Sequence, residues 1–474
     1  MHISDATINA QGSTDIWGVT VSFSIESESS SEFNPFAVKA LDRILGKFST
    51  AELPSPESDA VAGTRSHQVM GWVYKLLSNA DWPTFQLGTF NSNGESDLVG
   101  DYCLPTRTGP RYLPFRLFRF FLQEALLVTG ANWQPIQFQA KLEQFRNLAK
   151  SHGLRGGSQR SILLSFLKRG FTPHEEISNV YMIENRGKPF YFQGTKTDRA
   201  SQLLSKITSD KYLTVKQLKS EGVSVVEQIQ IGSLDEAKGA ANKLGYPVVL
   251  KPVVGSGNAG VICAIANEAQ LVELAEASER PLISHLVEKH VQADCLRVVL
   301  AGQRIAFVQH RRLLRITGDG SSNIQKLLED YAKLKFDGPS AFKSVFEIKV
   351  LKRVNHIDRM LDNLGLDYDS VLAEGETRTI GHLAAVSAGT LTTFHEPAYI
   401  PDWLQVVMKK INMMFGNDII GIDVLVPEGF QEGKQEFEYR INEVNLGPDI
   451  RDAIVDDWFM DAFLDEYRID STKT

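Results

Sequence analysis

Cysteine is scarce in this 474-residue chain: Cys103, Cys263 and Cys295 stand far apart and are odd in number. They form neither a CxxC metal pair nor a disulfide framework, so reduced thiols are expected. No run approaches the roughly 20 apolar residues that a membrane span requires. The opening Met1-His2-Ile3-Ser4-Asp5 lacks the basic and apolar segments of a secretory signal, so a cytoplasmic protein with no membrane partner is expected. A positive charge excess is missing too. Fifty Lys and Arg against 58 Asp and Glu leave a net charge of −8, with a sequence pI near 5.8. Such a balance repels phosphate backbones on average, and no nucleic-acid partner is expected. No internal repeat is visible.

What is present is enough apolar sequence (43%) for a sizeable core, in a chain long enough for two or three domains. Residues 1–157 read as a separate N-terminal α/β domain for substrate recognition or oligomerisation. Polar loops are expected at 22–32 and 50–63, and helical patterns at 66–79 and 112–127. From 158 to 474 short strands alternate with helices. Helices are expected over Ser158–Arg169, Ser209–Glu221, 233–244, 347–365 and 402–416. Val180–Ile183 and Pro189–Phe192 read as a hairpin around Asn185-Arg186-Gly187. Further strands are expected at Val223–Val226, Pro247–Leu250 and Val261–Ile265. Leu296–Leu300 and Arg304–Gln309 form a second hairpin, and 419–426 with 436–444 a last strand pair. Strands that pair mostly in hairpins, mixed with helices, predict an α+β fold.

Three segments carry chemistry. In the first, a strand ends on Lys251-Pro252 and a small-residue loop, Gly255-Ser256-Gly257-Asn258-Ala259-Gly260, returns into the next strand. Glycines let backbone N–H groups close on phosphate oxygens while the lysine adds a fixed positive charge. Because the loop joins two strands, it is neither a Rossmann fingerprint nor a Walker loop; a flexible hairpin beside a surface lysine is the plain alternative. The second segment is the terminal strand pair. Glu443 and Asn445, two apart, share one strand face, and a hairpin brings Asp423 beside them. These hard oxygen donors suit Mg²⁺ held together with substrate phosphates; an acidic rim is the plain alternative. In the third, Glu288 at a strand end can accept a hydrogen bond from an adenine amino group.

Taken in order, these segments resemble the ATP-grasp superfamily, above all the ATP-grasp region of cyanophycin synthetases and glutathione-synthetase-like ligases. The likeness runs from about 160 to 455. It includes Phe192-Gln193-Gly194-Thr195-Lys196-Thr197-Asp198-Arg199-Ala200-Ser201, Ser209-Asp210-Lys211, Val249-Leu250-Lys251-Pro252, Glu288, Gly318-Asp319-Gly320 and Ser387-Ala388-Gly389-Thr390. The resemblance implies ATP held between two antiparallel sheets, with 209–290 as the clamping lid subdomain. Lys211 and Lys251 would lie on the phosphates and Gly255, Ser256, Gly257 and Gly260 in the phosphate loop. Two Mg²⁺ ions, with Mn²⁺ as an alternative, would sit on Asp423, Glu443 and Asn445. Arg297 and Arg311 match family arginines and would hold the transferring phosphoryl group or a substrate carboxylate. The implied reaction joins a small carboxylic acid to an amine, amino acids or short peptides being the expected substrates, through an acyl-phosphate. A homo-oligomer is expected from the resemblance alone.

Departures from the family pattern stand at Asn258, Ala293, Cys295, Leu313 and Asp449. Asp294, beside the altered Cys295, is expected to reach the ribose, and Asp449 to face a basic acceptor. No Mur-ligase-like second domain is visible, so a single ligation is expected rather than polymerisation. Segments 315–323 and 331–345 read as a mobile lid. A phosphotransferase of the same superfamily, or a nucleotide-binding regulatory module, are the alternatives. The complete set Lys211, Lys251, Asp423, Glu443 and Asn445 favours an enzyme.

Overall fold

The computed structural model describes residues 19–23, 41–42, 45, 65–80, 90–91, 100–104, 116–117, 120–121, 135–152, 157–169, 171, 173–177, 179–255, 259–277, 282–333, 356–385, 390–433, 435–450 and 453–469. The chain divides into two compact units, Met1–Gly194 with Ser471–Thr474, and Thr195–Asp470.

In the first unit, β1 (Val19–Phe23), β2 (Phe90–Asn91) and β3 (Gly100–Leu104) form an antiparallel sheet in the order β1-β3-β2. Ser22 and Phe23, expected in a loop, thus belong to a strand; the rest of 22–32 and all of 50–63 lie outside the described residues. Helix α1 (Arg65–Asn79) buries Val69, Met70, Trp72, Val73, Leu76 and Leu77, the spacing of one helical face. Helices α2 (Pro135–His152) and α3 (Gly157–Lys168) follow, and Phe120 packs on Phe121, Phe138 and Phe145. Strands β4 (His174–Ile177), β5 (Val180–Asn185) and β6 (Lys188–Gln193) make an antiparallel meander. Arg186 and Gly187 both have positive φ, as a two-residue hairpin turn requires.

The second unit opens with β7 (Lys196–Thr197), α4 (Gln202–Ser209) and α5 (Lys211–Ser220). One helix was expected from Ser209. Instead Asp210, in extended conformation, ends α4 and caps α5, its carboxylate accepting from Leu213 N at 2.9 Å. Val223–Val226 forms no regular strand, although Val225 bridges to Ile441. Strands β8 (Gln228–Ile231), β9 (Val248–Pro252), β10 (Ile262–Ile265) and β11 (His285–Lys289) give a four-stranded antiparallel sheet, β10-β9-β11-β8. Helices α6 (Leu234–Leu244) and α7 (Glu268–Glu276) share a core with it made of Ala237, Ala241, Val248, Leu250, Leu271 and Val287. Alternation along the strands then sends Val249, Lys251, Leu286 and Glu288 to the opposite face.

A larger sheet follows, from β12 (Asp294–Ala301) and β13 (Arg304–Arg312). Strands β14 (Arg315–Thr317) and β15 (Thr377–Thr379) pair outside it, with α8 (Ile324–Lys333) and α9 (Ile357–Leu364) around their own core of Leu314, Ile316, Leu328, Leu361 and Ile380. Then come β16 (Leu391–His395), α10 (Asp402–Met414), β17 (Ile419–Val426), β18 (Arg440–Leu446) and α11 (Ala453–Tyr467). The sheet order is β16-β13-β12-β17-β18, antiparallel throughout. Leu296, Val298, Leu300, Val308, Ile420, Ile422 and Val424 pack with Leu404, Met408 and Ile411 of α10. One extra residue, Asn442, is absorbed as a bulge between β17 and β18. Ile441 therefore joins Val424 in the core, while Glu443 stays opposite Asp423. No described helix is long and apolar enough to cross a membrane.

Candidate active site

The apolar face of the large sheet fixes what its other face displays. Register pairs Phe394 with Gln309, Gln309 with Arg297, Arg297 with Asp423 and Asp423 with Glu443. A polar row, Gln309–Arg297–Asp423–Glu443, thus crosses four strands. Beside it, Arg311 stands opposite Cys295, and Gly421 opposite Asn445. Arg297 grips Asp423 with two hydrogen bonds, Nη2 to Oδ2 at 2.7 Å and Nε to Oδ1. Arg311 Nη1 lies 3.7 Å from the same carboxylate, and its Nε donates to Gln309 Oε1 at 2.8 Å. Burial pushes the Asp423 carboxyl up, but Arg297 and then Arg311 outweigh it and hold it below the ordinary range. Burial lowers the Arg311 guanidinium, and Arg297 lowers it further. Gly421 is small for a reason: a Cβ there would stand 2.8 Å from Pro448 Cβ and 3.0 Å from Arg297 Cδ.

The smaller sheet contributes Lys251, and α5, tied to the end of β9, contributes Lys211. Lys251 is only 5% exposed and ion-paired with Glu288 on the neighbouring strand. The start of α5 is stitched to the end of β9: Lys211 N donates to Val253 O at 3.1 Å and Asp210 bridges Val254. This junction brings Lys211 Nζ within 2.7 Å of Gly255 O and 3.8 Å of Glu443 Oε1. Burial lowers the Lys211 ammonium and Lys251 adds to that, against the raising effect of Glu443. The Lys211–Glu443 approach brings the start of α5, tied to the end of β9, to the row on the large sheet. The phosphate loop is described at Gly255 and Gly260, the latter with φ +79; Ser256 and Gly257 lie outside the described residues, as do Asn258 and 334–345 of the expected lid.

The donors expected for Mg²⁺ fit such an ion chemically, being two carboxylates and an amide oxygen. Asn445 Nδ2 is buried without a partner, and Glu443 lies 3.8 Å from Lys211 Nζ. Asp423 would share oxygens that Arg297 already engages, which a carboxylate with about four lone-pair sites allows. Among the described residues, no three His, Cys, Asp or Glu side chains gather as a metal cluster.

One expectation meets a different geometry. Asp294, read as reaching the ribose, is fully buried. Its carboxylate accepts from Leu313 N at 3.0 Å, Arg315 Nη2 at 2.7 Å and Gly429 N at 3.1 Å, with His310 Nε2 3.5 Å away. Burial pushes it up, but these bonds hold it low. It is a structural anchor with no oxygen facing a ligand. Glu288 is buried and ion-paired with Lys251. Sequence reading also missed Gln309, which orients Arg311. The signal was there, since two residues apart on a strand share a face.

The family model for the ATP-binding domain of the carbamoyl-phosphate synthase L chain matches residues 210–293. Cyanophycin synthetase from Geminocystis herdmanii is 28% identical over 267 residues, 55% of this chain and 29% of that protein. The glutathione biosynthesis bifunctional protein GshAB of Clostridium perfringens is 24% identical over 62% of this chain and 38% of its own length. The chain thus spans about a third of these curated relatives. Among solved structures, a bifunctional glutathione synthetase from Pasteurella multocida aligns with a TM-score of 0.43 at 15% identity, covering 92% of this chain and 59% of that one. These matches agree with the resemblance to the ATP-grasp superfamily, and the described fold is α+β.

Proposed function

We propose that this chain is an ATP-dependent, ADP-forming carboxylate–amine ligase acting on amino acids or amino-acid-like small molecules. The observation that carries the reading is the polar row Gln309–Arg297–Asp423–Glu443, reached by Lys211 from the start of α5. A carboxylate and a triphosphate repel one another. Bringing them together requires fixed cations in a shielded place, and Lys211, Lys251, Arg297 and Arg311 are such cations. In this reading Lys211 and Lys251 hold the phosphates, and Arg311, steered by Gln309, orients the acid or the transferring phosphoryl group. One acid oxygen attacks the γ-phosphorus as the bond to ADP breaks. The amine then attacks the acyl carbon, phosphate leaves, and the amine loses a proton. Asp423, Glu443 and Asn445 would hold Mg²⁺, which supplies charge neutralisation on the phosphate oxygens.

The test is phosphate release from ATP and Mg²⁺ across a panel of acids crossed with amines, with mass spectrometry of the products. Release that needs both partners, with a product lighter by one water than their sum, is the expected result. Phosphorylation of a substrate with no amine present would replace the ligase by a kinase. Tight ATP binding without turnover across the panel would favour a nucleotide-binding module.

A further inference from the structure

A second polar group, carried partly by the segment between β14 and β16, is not used by the chemistry above. Arg359 on α9 donates Nη2 to Cys263 O on β10 at 2.5 Å, while its Nε is buried with no partner. No carboxylate pairs with this guanidinium among the described residues. Three histidines surround it. The His382 ring, 8% exposed, stacks on His356 with centroids 5.5 Å apart and planes at 16°. His382 also feels the charges of Arg359 and His290, and His290 that of Arg359. His382 Nδ1 and His290 Nε2 are buried and unpartnered as well. Three unmet nitrogens, Arg359 Nε among them, with no carboxylate paired to the guanidinium among the described residues, would be costly unless a ligand meets them.

What such a group accepts is an oxyanion, because every unmet atom can donate a hydrogen bond. Burial lowers His290 to about 4 and His382 to about 3, so near neutrality these rings donate without charge. The cluster also adjoins the small sheet. Cys263, to which Arg359 is tied, lies on β10, the strand paired with β9, which carries Lys251. We propose that Arg359, His382 and His290 form an oxyanion subsite that takes a phosphate group of the bound nucleotide. It lies beside the Lys251 strand and draws Arg359 and His382 from a part of the chain separate from the two sheets. The proposal rests on the nucleotide reading of Lys211 and Lys251.

Calorimetric titration of the full chain, in the presence of Mg²⁺, with ADP, pyrophosphate and adenosine tests it. Failure of the unaltered protein to bind ADP would remove the nucleotide reading itself. Given such binding, Arg359→Gln should weaken ADP and pyrophosphate roughly tenfold or more, the loss of one charge-assisted hydrogen bond. Adenosine affinity should not move, and Arg359→Lys should restore part of the loss. His382→Ala should weaken ADP in the same sense. Unchanged ADP and pyrophosphate affinities in Arg359→Gln, or an equal loss for adenosine, would overturn the subsite.

Discussion

Single residues in this site are constrained by their partners more than by their own type. Asp423 is buried and holds Arg297 through two hydrogen bonds. Asp423→Asn would leave a buried guanidinium without its counter-charge, and a loss of about 3–5 kcal/mol in urea unfolding is expected. A loss below about 1 kcal/mol would mean that Arg297 finds another partner. At this scale strand alternation gave the shared face of Glu443 and Asn445, and the register sets Asp423 opposite Glu443; Arg297 came from the resemblance alone. The sequence was uninformative at Asp294. An acid at a strand start looks available, and nothing local reveals that Leu313, Arg315 and Gly429, distant in sequence, converge on it.

At the scale of elements, the polar row depends on register, and register depends on packing. The bulge at Asn442 and the absence of a side chain at Gly421 both keep β17 and β18 aligned under Arg297. Gly421→Ala would push a methyl group against Pro448 and the Arg297 stem. A cost of about 1–3 kcal/mol from overpacking is expected, with a larger relative drop in turnover than in nucleotide affinity. Denaturant unfolding and steady-state kinetics of the same variant would check this, and an unaltered turnover would free Gly421 from the site. Strand 419–426 was legible to the residue because its apolar run is bounded by turns. Its partner was read as starting at 436 but starts at Arg440. The helix start was misplaced by two residues because Ser209 and Asp210 are both good caps. The choice falls to Asp210 through its contact with Val254, a tertiary effect.

Across the whole molecule, the stability curve should carry the mark of the histidines. His290 and His382 sit below the ordinary value of 6.5, near 4 and 3, through burial and the nearby His356, Arg359 and Lys289. The unfolded chain therefore binds protons as pH falls through about 6.5 while the folded chain does not. Their contribution is fully present above that value and is lost progressively as pH falls toward 4. The melting temperature should drop between pH 7 and pH 5, and His382→Gln should make that slope shallower. An identical slope would show that other groups dominate. At this scale the sequence yielded the α+β class and the order of motifs. It did not yield the insert with its own core, since residues 315–382 contain no run that announces one.

The cations of the polar row and of the lysine pair already lie next to anions of the same chain: Lys251 by Glu288, Arg297 and Arg311 by Asp423, Lys211 near Glu443. On the proposed reading, ligand entry at these four cations is therefore a counter-ion exchange. A naked triphosphate would free three carboxylates with nothing to take them, whereas a metal-chelated one brings its own cations. The arrangement should discriminate against metal-free ATP before any chemistry begins.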